Sequence, residues 1–294
     1  MAFLCIDIGG TNTIVGVGNG DFESVAKYST GEFVENVREM IDEALKPSHI
    51  QQEDIEQVAV AAAGPIDREK MVFYPPNVSD KQGLEKINLE KALAGLGEIT
   101  IINDCTSAVL GEYHYGGHKT DNLVYVTISS GIGAGAIIQG QLIEGKDGNF
   151  AEVGHMEIST ELECGCGGQG HWEAYASGEN LPKMADQLFD LKYDNAVEIF
   201  EQYNRGDSQA QKVISQMQEA NIQGLSNVAT LYDPDKIVLG GAVALNHPET
   251  VVEPLEERVE ERSVNSTPEV DLCSLGEKSV IHGLRAVCNG KHSN

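Results

Sequence analysis

Apolar positions gather first in short runs that end in glycine. Residues 3–8 have the make-up of a strand, Gly9 and Gly10 turn, and residues 13–18 resume as a second strand, so DIGGTNT is the tip of a hairpin. The arrangement recurs at 123–129, where an apolar strand runs into SSGIGAG (129–135) before a strand at 136–139. Two such tips predict a duplicated domain with both glycine turns on a shared cleft. Between them, residues 32–46 have helical spacing through Val34, Val37, Ile41 and Leu45, and 55–63 reads as a buried strand. A short strand at 99–102 ends in Asn103 and Asp104, and 107–115 reads as a helix. A first domain over 1–116 and a second over 117–294 are expected. The second holds helices at 195–203 and 208–232, a strand at 236–239 closed by Gly240 and Gly241, and helices at 251–262 and 279–288. The last helix is a candidate to pack back on the first domain. Strands alternating with helices make the fold class α/β.

Length and charge narrow the function classes. With 294 residues, 41% hydrophobic, and no apolar run near the length of a membrane span, a membrane role is not expected. The opening MAFLCIDIGG has no basic region or cleavage site, so a cytoplasmic protein is expected rather than a secreted one. Acidic residues number 46 against 20 basic ones, a net charge of −26 spread along the chain. Such self-repulsion is screened when the Debye length falls to about 3 Å in molar salt, which points to a salt-rich, halophilic cytoplasm. A nucleic-acid partner is not expected from this balance.

Chemistry concentrates in EVGHMEISTELECGCGGQGHWE, residues 152–173. Cys5, Cys105, Cys273 and Cys288 lie in apolar runs and read as core thiols. Cys164 and Cys166 have glycine and polar neighbours instead, and a disulfide between residues two apart is strained. With His155 and His171 they make four soft or borderline ligands, enough to close a tetrahedral shell around a structural zinc. The flanking Glu152 and Glu173 become candidates for substrate contact. Asp7 and Asp104 stand at strand ends, where ligands of α/β folds sit. An Asp before a helix is equally an N-cap worth about 1 kcal/mol, and Asp7 could pair with a lysine, so local sequence leaves both open. DIGGTNT lacks the lysine of a GxxxxGK[ST] loop. Its glycines still let backbone N–H groups approach an anion, with Thr11 and Asn12 as further donors.

Taken together, these motifs resemble the ROK group of sugar kinases and repressors within the actin-like ATPase superfamily, from Ile6 to about Ala244. DIGGTNT and ISSGIGAG resemble the two phosphate motifs, AAAGPID (61–67) the substrate-side turn, IIND (101–104) the catalytic strand end, EVGH the ExGH signature and VLGGAVA (238–244) the adenosine turn. CGCGGQGHWE departs from CxCGxxGCxE at one position, His171 in place of Cys. Ser130 stands where Thr is common, and AAAGPID where GxPGxxD is usual. The resemblance implies a two-domain actin-like ATPase (ribonuclease H-like) fold with an interdomain cleft. It implies an ATP-dependent sugar kinase with Asp104 as general base for the attacking hydroxyl. Gly64, Asn77, Asn103, Glu152, His155 and Glu173 would hold the sugar, His155 using one ring nitrogen for zinc and the other for substrate. Gly9, Gly10, Thr11, Asn12, Ser130, Gly131 and Gly133 would meet the phosphates, Asp7 would orient hydrated Mg2+, and Gly240 with Gly241 would leave room for adenosine. His171 keeps a zinc ligand while thiolates fall from three to two. Glucose is the family default, with N-acetylhexosamines, mannose, fructose and allose open, as is the phosphoryl donor. The family's repressors carry an N-terminal helix-turn-helix, which a chain opening on a strand is expected to lack. A non-catalytic sugar-responsive regulator is the remaining alternative, and a homodimer or homotetramer is the assembly implied.

Overall fold

The computed structural model describes residues 1–62, 66, 67, 72, 73, 87–260, 262 and 264–291. Strands β1 (Ala2–Ile8), β2 (Asn12–Asn19), β3 (Asp21–Ser29) and β4 (Ile55–Ala62) join one sheet. Short strands β5 (Ile66–Asp67), β6 (Val72–Phe73) and β7 (Ile87–Asn88) form a sheet of their own, and β8 (Glu98–Asn103) completes the first in the order β3-β2-β1-β4-β8. β1 is buried at every position except the half-buried Asp7, because both of its faces are covered, and so it reads as a continuous apolar run rather than an alternation.

The second sheet is built the same way. Its strands are β9 (Leu123–Ile128), β10 (Ile132–Ile138), β11 (Gln141–Ile143), β12 (Lys236–Gly240) and β13 (Glu269–Leu272), ordered β11-β10-β9-β12-β13. In each sheet a three-strand antiparallel meander is extended by two parallel strands. The expected α/β class and the duplication are therefore both present.

The chain divides into two compact units, one of Met1–His118, Glu144–Asn149 and the stretch from Lys278 onward, the other of Lys119–Ile143 and Phe150–Glu277. Each has its own apolar core. Leu4, Ile6, Val15, Ile41 and Val60 belong to the first, and Val126, Trp172, Phe200, Leu225 and Leu239 to the second. Within the first unit the helix Ser279–Cys288 packs along Asp104–Tyr115. No helix among the described residues is long and apolar enough to cross a membrane; the longest, Ser208–Tyr232, carries a polar face.

Several boundaries differ from the sequence reading. The helix expected at 32–46 is two, Thr30–Glu35 and Val37–Leu45, since Asn36 leaves helical dihedrals and its amide donates back to the Glu32 carbonyl. The helix expected at 251–262 is broken likewise, into Pro248–Val251 and Leu255–Glu260. Pro254 between them lacks an N–H and disfavours helical geometry in the residue before it. β10 begins at Ile132, so half of the expected glycine turn is strand. β3, β11 and β13 and the helices Trp172–Ala176 and Leu181–Phe189 went unread.

Candidate functional site

In the first unit the glycine tip is closed by a Gly9 N–H donation to the Asn12 carbonyl at 3.0 Å. Buried Thr30 clamps it from below: its hydroxyl donates to the Gly9 carbonyl at 2.7 Å, and its N–H to the Thr11 carbonyl at 2.9 Å. Gly10, Thr11 and Asn12 are left exposed, although the carbonyls of Thr11 and Asn12 are taken up by these bonds. Sequence reasoning missed Thr30. Its signal was the Ser29 cap ahead of Glu32, which fixes where the helix after β3 begins.

The same unit brings together Asp7, at the end of β1, and Asp104, directly after β8. Asn103, not Asp104, is the N-cap: its Oδ1 accepts from Cys105 N at 2.9 Å and Thr106 N at 3.1 Å. Asp104 is thereby released from capping and accepts the Cys105 N–H at 2.8 Å. Burial pushes the Asp104 carboxyl above the usual carboxylate range, with the Cys105 hydrogen bonds pulling against it. Asp7 is pushed up to about 7, first through burial and then through the negative charge of Asp104. The charge bearing on Asp7 is thus another carboxylate rather than a lysine. Two carboxyls raised by burial, one of them also by the other's charge, at the ends of β1 and β8 on either side of β4 are the arrangement expected where protons are moved. Gly64 and Asn77 lie outside the described residues.

In the second unit, the turn after β9 closes with Ser129 N donating to the Gly131 carbonyl at 2.9 Å. Gly133 lies inside β10, paired with Thr127. Gly240 and Gly241 are needed by the protein itself: a Cβ at the first would sit 2.1 Å from the Tyr125 hydroxyl, and at the second 2.5 Å from Thr127 Oγ1. Glu173 receives the Ile132 N–H on Oε2 at 2.9 Å, and its Oε1 lies 3.9 Å from Cys164 Sγ.

The four Cys and His residues singled out in the sequence do meet. One ligand atom from each of His155, Cys164, Cys166 and His171 lies within 4.8 Å of all the others. A tight turn makes this possible, with Cys164 N donating to Gly168 O and Gly167 N to Cys164 O, both at 2.8 Å. Cys164 is buried despite its glycine and polar neighbours, and Cys166 is exposed. His155 Nδ1 stands 3.8 Å from Cys164 Sγ and His171 Nδ1 stands 3.2 Å from Cys166 Sγ. On its other side, His155 Nε2 is 3.9 Å from a Glu152 oxygen. The edges of a zinc tetrahedron with nitrogen and sulfur ligands are about 3.3–3.8 Å, so the cluster has the spacing and the donor types for such an ion. Cys5, Cys105, Cys273 and Cys288 are buried thiols, as expected.

The chain has relatives among known proteins. The glucokinase of Pyrobaculum calidifontis is 32% identical over 290 residues, 97% of this chain and 94% of that protein. That of Aeropyrum pernix is 30% identical over 311 aligned positions, 97% and 95%. The crystal structure of a ROK family glucokinase from Streptomyces griseus in complex with glucose and AMPPNP superposes with a TM-score of 0.76 at 28% identity, covering 98% of this chain and 99% of that one. The fold is accordingly that of the ROK kinases, an actin-like ATPase fold. The family model described as "ROK family" matches residues 3–289, and the chain belongs to that family.

Proposed function

We propose that the protein is an ATP-dependent kinase that phosphorylates a hexose hydroxyl, with glucose as the acceptor. The observation that carries this reading is the match to two glucokinases over nearly the whole of both chains. Asp104 serves as general base. Its raised carboxyl supports that role, because a base works best with a pKa drawn toward the operating pH. Positioning supplies most of the remaining catalysis in phosphoryl transfer. With Asn103 Oδ1 committed to the cap, its amide donates to the sugar, alongside Glu152, His155, Glu173, Gly64 and Asn77. The exposed backbone of Gly10, Thr11 and Asn12, with Gly9, Ser130, Gly131 and Gly133, receives the phosphates. Asp7 orients hydrated magnesium, which neutralises phosphate charge when bound. Gly240 and Gly241 bound the adenosine side.

His155, Cys164, Cys166 and His171 hold a structural zinc, supported by their mutual distances. Its part is to fix the loop, and no chemical step passes through it. The net charge of −26 fits a salt-rich cytoplasm, and a homodimer or homotetramer is the assembly we propose. Light scattering, and melting in salt-free buffer against molar potassium chloride, check these two points.

A hexosamine acceptor is the second reading, favoured by an N-acetylmannosamine kinase from Yersinia pestis that is 30% identical over 194 residues, 65% of this chain. An ADP-release assay across a sugar panel, in high potassium chloride, separates the two. Glucose is expected to give the highest kcat/KM, with turnover abolished in Asp104→Ala of intact fold. Turnover that ignores the sugar, or survives in that variant, would overturn the assignment.

A further inference from the structure

We infer that the loop carrying the metal ligands is also the brace of the second glycine turn, with Glu173 as a positioning residue that couples metal occupancy to nucleotide binding. The inference rests on the kinase reading above.

Ile132 is the first residue of β10 and the exit of the turn. From one side Glu173 Oε2 accepts its N–H at 2.9 Å. From the other, Gly154 packs so tightly on its carbonyl that a Cβ there would lie 2.1 Å from the oxygen. Both ends of the loop therefore close on a single residue. Just beyond the helix Trp172–Ala176, Gly178 N donates to Ser129 O at 2.7 Å and Glu179 N to Ser130 O at 3.3 Å. Every residue of the turn is gripped, because a Cβ at Gly131 would sit 2.7 Å from Glu173 Oε2. A larger residue there would have to displace the Glu173 carboxylate from the Ile132 N–H, independently of any phosphate.

The same residues are tied to the metal ligands. Gly154 adjoins His155, Glu173 follows His171 by two, and Glu173 Oε1 is 3.9 Å from Cys164 Sγ. Cross-strand bonds carry the constraint, Ile158 N to Gly170 O at 2.9 Å and Trp172 N to Met156 O at 3.0 Å. An ion pinning four side chains fixes where Gly154 and Glu173 lie, and through them the turn. The helix itself is anchored separately, by fully buried Trp172 donating to Asn221 Oδ1 at 2.9 Å. Loss of the ion is therefore expected to loosen the brace without unfolding the unit. Coupling of this kind is reciprocal, so nucleotide must also hold the ion more tightly.

Trp172, the single tryptophan of the chain, reports on this place. Magnesium ADP is titrated into metal-loaded protein, into protein stripped with 1,10-phenanthroline and into stripped protein given zinc back. Trp172 fluorescence and calorimetry both follow binding. Stripping is expected to weaken Kd about tenfold, with recovery on zinc, and saturating magnesium ADP to slow zinc transfer to a chromogenic chelator. Glu173→Gln keeps an oxygen for the Ile132 N–H and should hold Kd within about twofold, whereas Glu173→Ala should lose about tenfold and stop responding to stripping. Equal affinity in loaded and stripped wild type overturns the coupling and leaves the kinase reading standing. Equal weakening in the Gln and Ala variants also overturns it. No magnesium ADP binding in any form overturns both readings. Should Glu173→Ala fail to fold, the wild-type comparison decides.

Discussion

The two five-stranded sheets share strand order and direction, but the residues at their matching strand ends differ in kind. In the first, Asp7 pairs with Ile14 and Ala61; at the corresponding place in the second, Thr127 pairs with Gly133 and Gly240. β8 ends in Asn103 and runs on into Asp104, whereas β13 runs on into Cys273. The first glycine turn is held from outside by one residue, Thr30, through its hydroxyl and its N–H, while the second is clasped by a cross-tied loop. Duplicated topology has thus been given unequal electrostatics. One half holds two buried carboxyls raised above their usual range, and the other carries no charge at the equivalent points and holds its turn by hydrogen bonds.

Asp104→Asn gives the largest effect and tests the carboxyl pair directly. Removing the base should lower kcat by about 10²–10⁴-fold. Removing the charge should also raise the melting midpoint, since Asp7 is pushed up in part by Asp104. A midpoint that falls along with kcat would mean that the carboxylates do not burden the first half.

Metal removal probes the other half. Among the described residues this is the one group of Cys, His and carboxylates with ligand spacing, and it belongs to the second unit. An ion present at a hundred times its Kd stabilises by about 2.7 kcal/mol, so stripping should lower the midpoint by several degrees. Hydrogen exchange should speed up around 129–132 and 150–173 and leave β1 and β2 unchanged. Uniform deprotection would erase the distinction between the halves. His171→Cys, adding a third thiolate, is expected to slow zinc loss to a chelator.

Asp7 sets a pH dependence that belongs to the first half alone. Its carboxyl is raised from 3.8 to about 7, so the native state keeps a proton that the unfolded chain has released. The resulting stability is full below about pH 4 and is lost as pH rises through about 7, to an extent of at most about 4 kcal/mol. Thermal melts of wild type and Asp7→Asn from pH 4 to 8 should converge in acid and diverge toward pH 8, the variant becoming the more stable. Parallel curves would remove Asp7 as the source.

How much of this could be read from the sequence follows from how local each signal is. The hairpin tips, the strand into Asp104 and the Cys–His set were legible because glycine turns, apolar runs and ligand types are properties of contiguous residues. β3 and β13 were not legible: their positions alternate with polar residues on partly exposed strands, and pairing rather than composition makes them strands. A capping role for Asp104 stayed open because sequence cannot tell which of two neighbouring Asx residues turns its oxygen to the helix; the backbone chose Asn103. Gly240 and Gly241 read as room for adenosine, and the close contacts that require them come from Tyr125 and Thr127, partners distant in the chain. Thr30 is the clearest omission, being 21 residues from the carbonyl it holds.

Thr30→Val supplies the smallest effect and the most direct test of unequal bracing. The valine keeps the backbone donation to Thr11 O but deletes the hydroxyl that reaches Gly9 O at 2.7 Å and faces Thr13 Oγ1 at 3.1 Å. Loss of such a bond costs about 1 kcal/mol, and magnesium ADP affinity should fall by about threefold to fivefold. Thr30→Ser should recover most of it, since the hydroxyl is what acts. The second turn, with grips at Ser129, Ser130, Gly131 and Ile132, should lose more when Glu173 is truncated than the first loses here. If Thr30→Val costs more nucleotide affinity than Glu173→Ala, the first turn is the tighter of the two and the ranking of the halves is reversed.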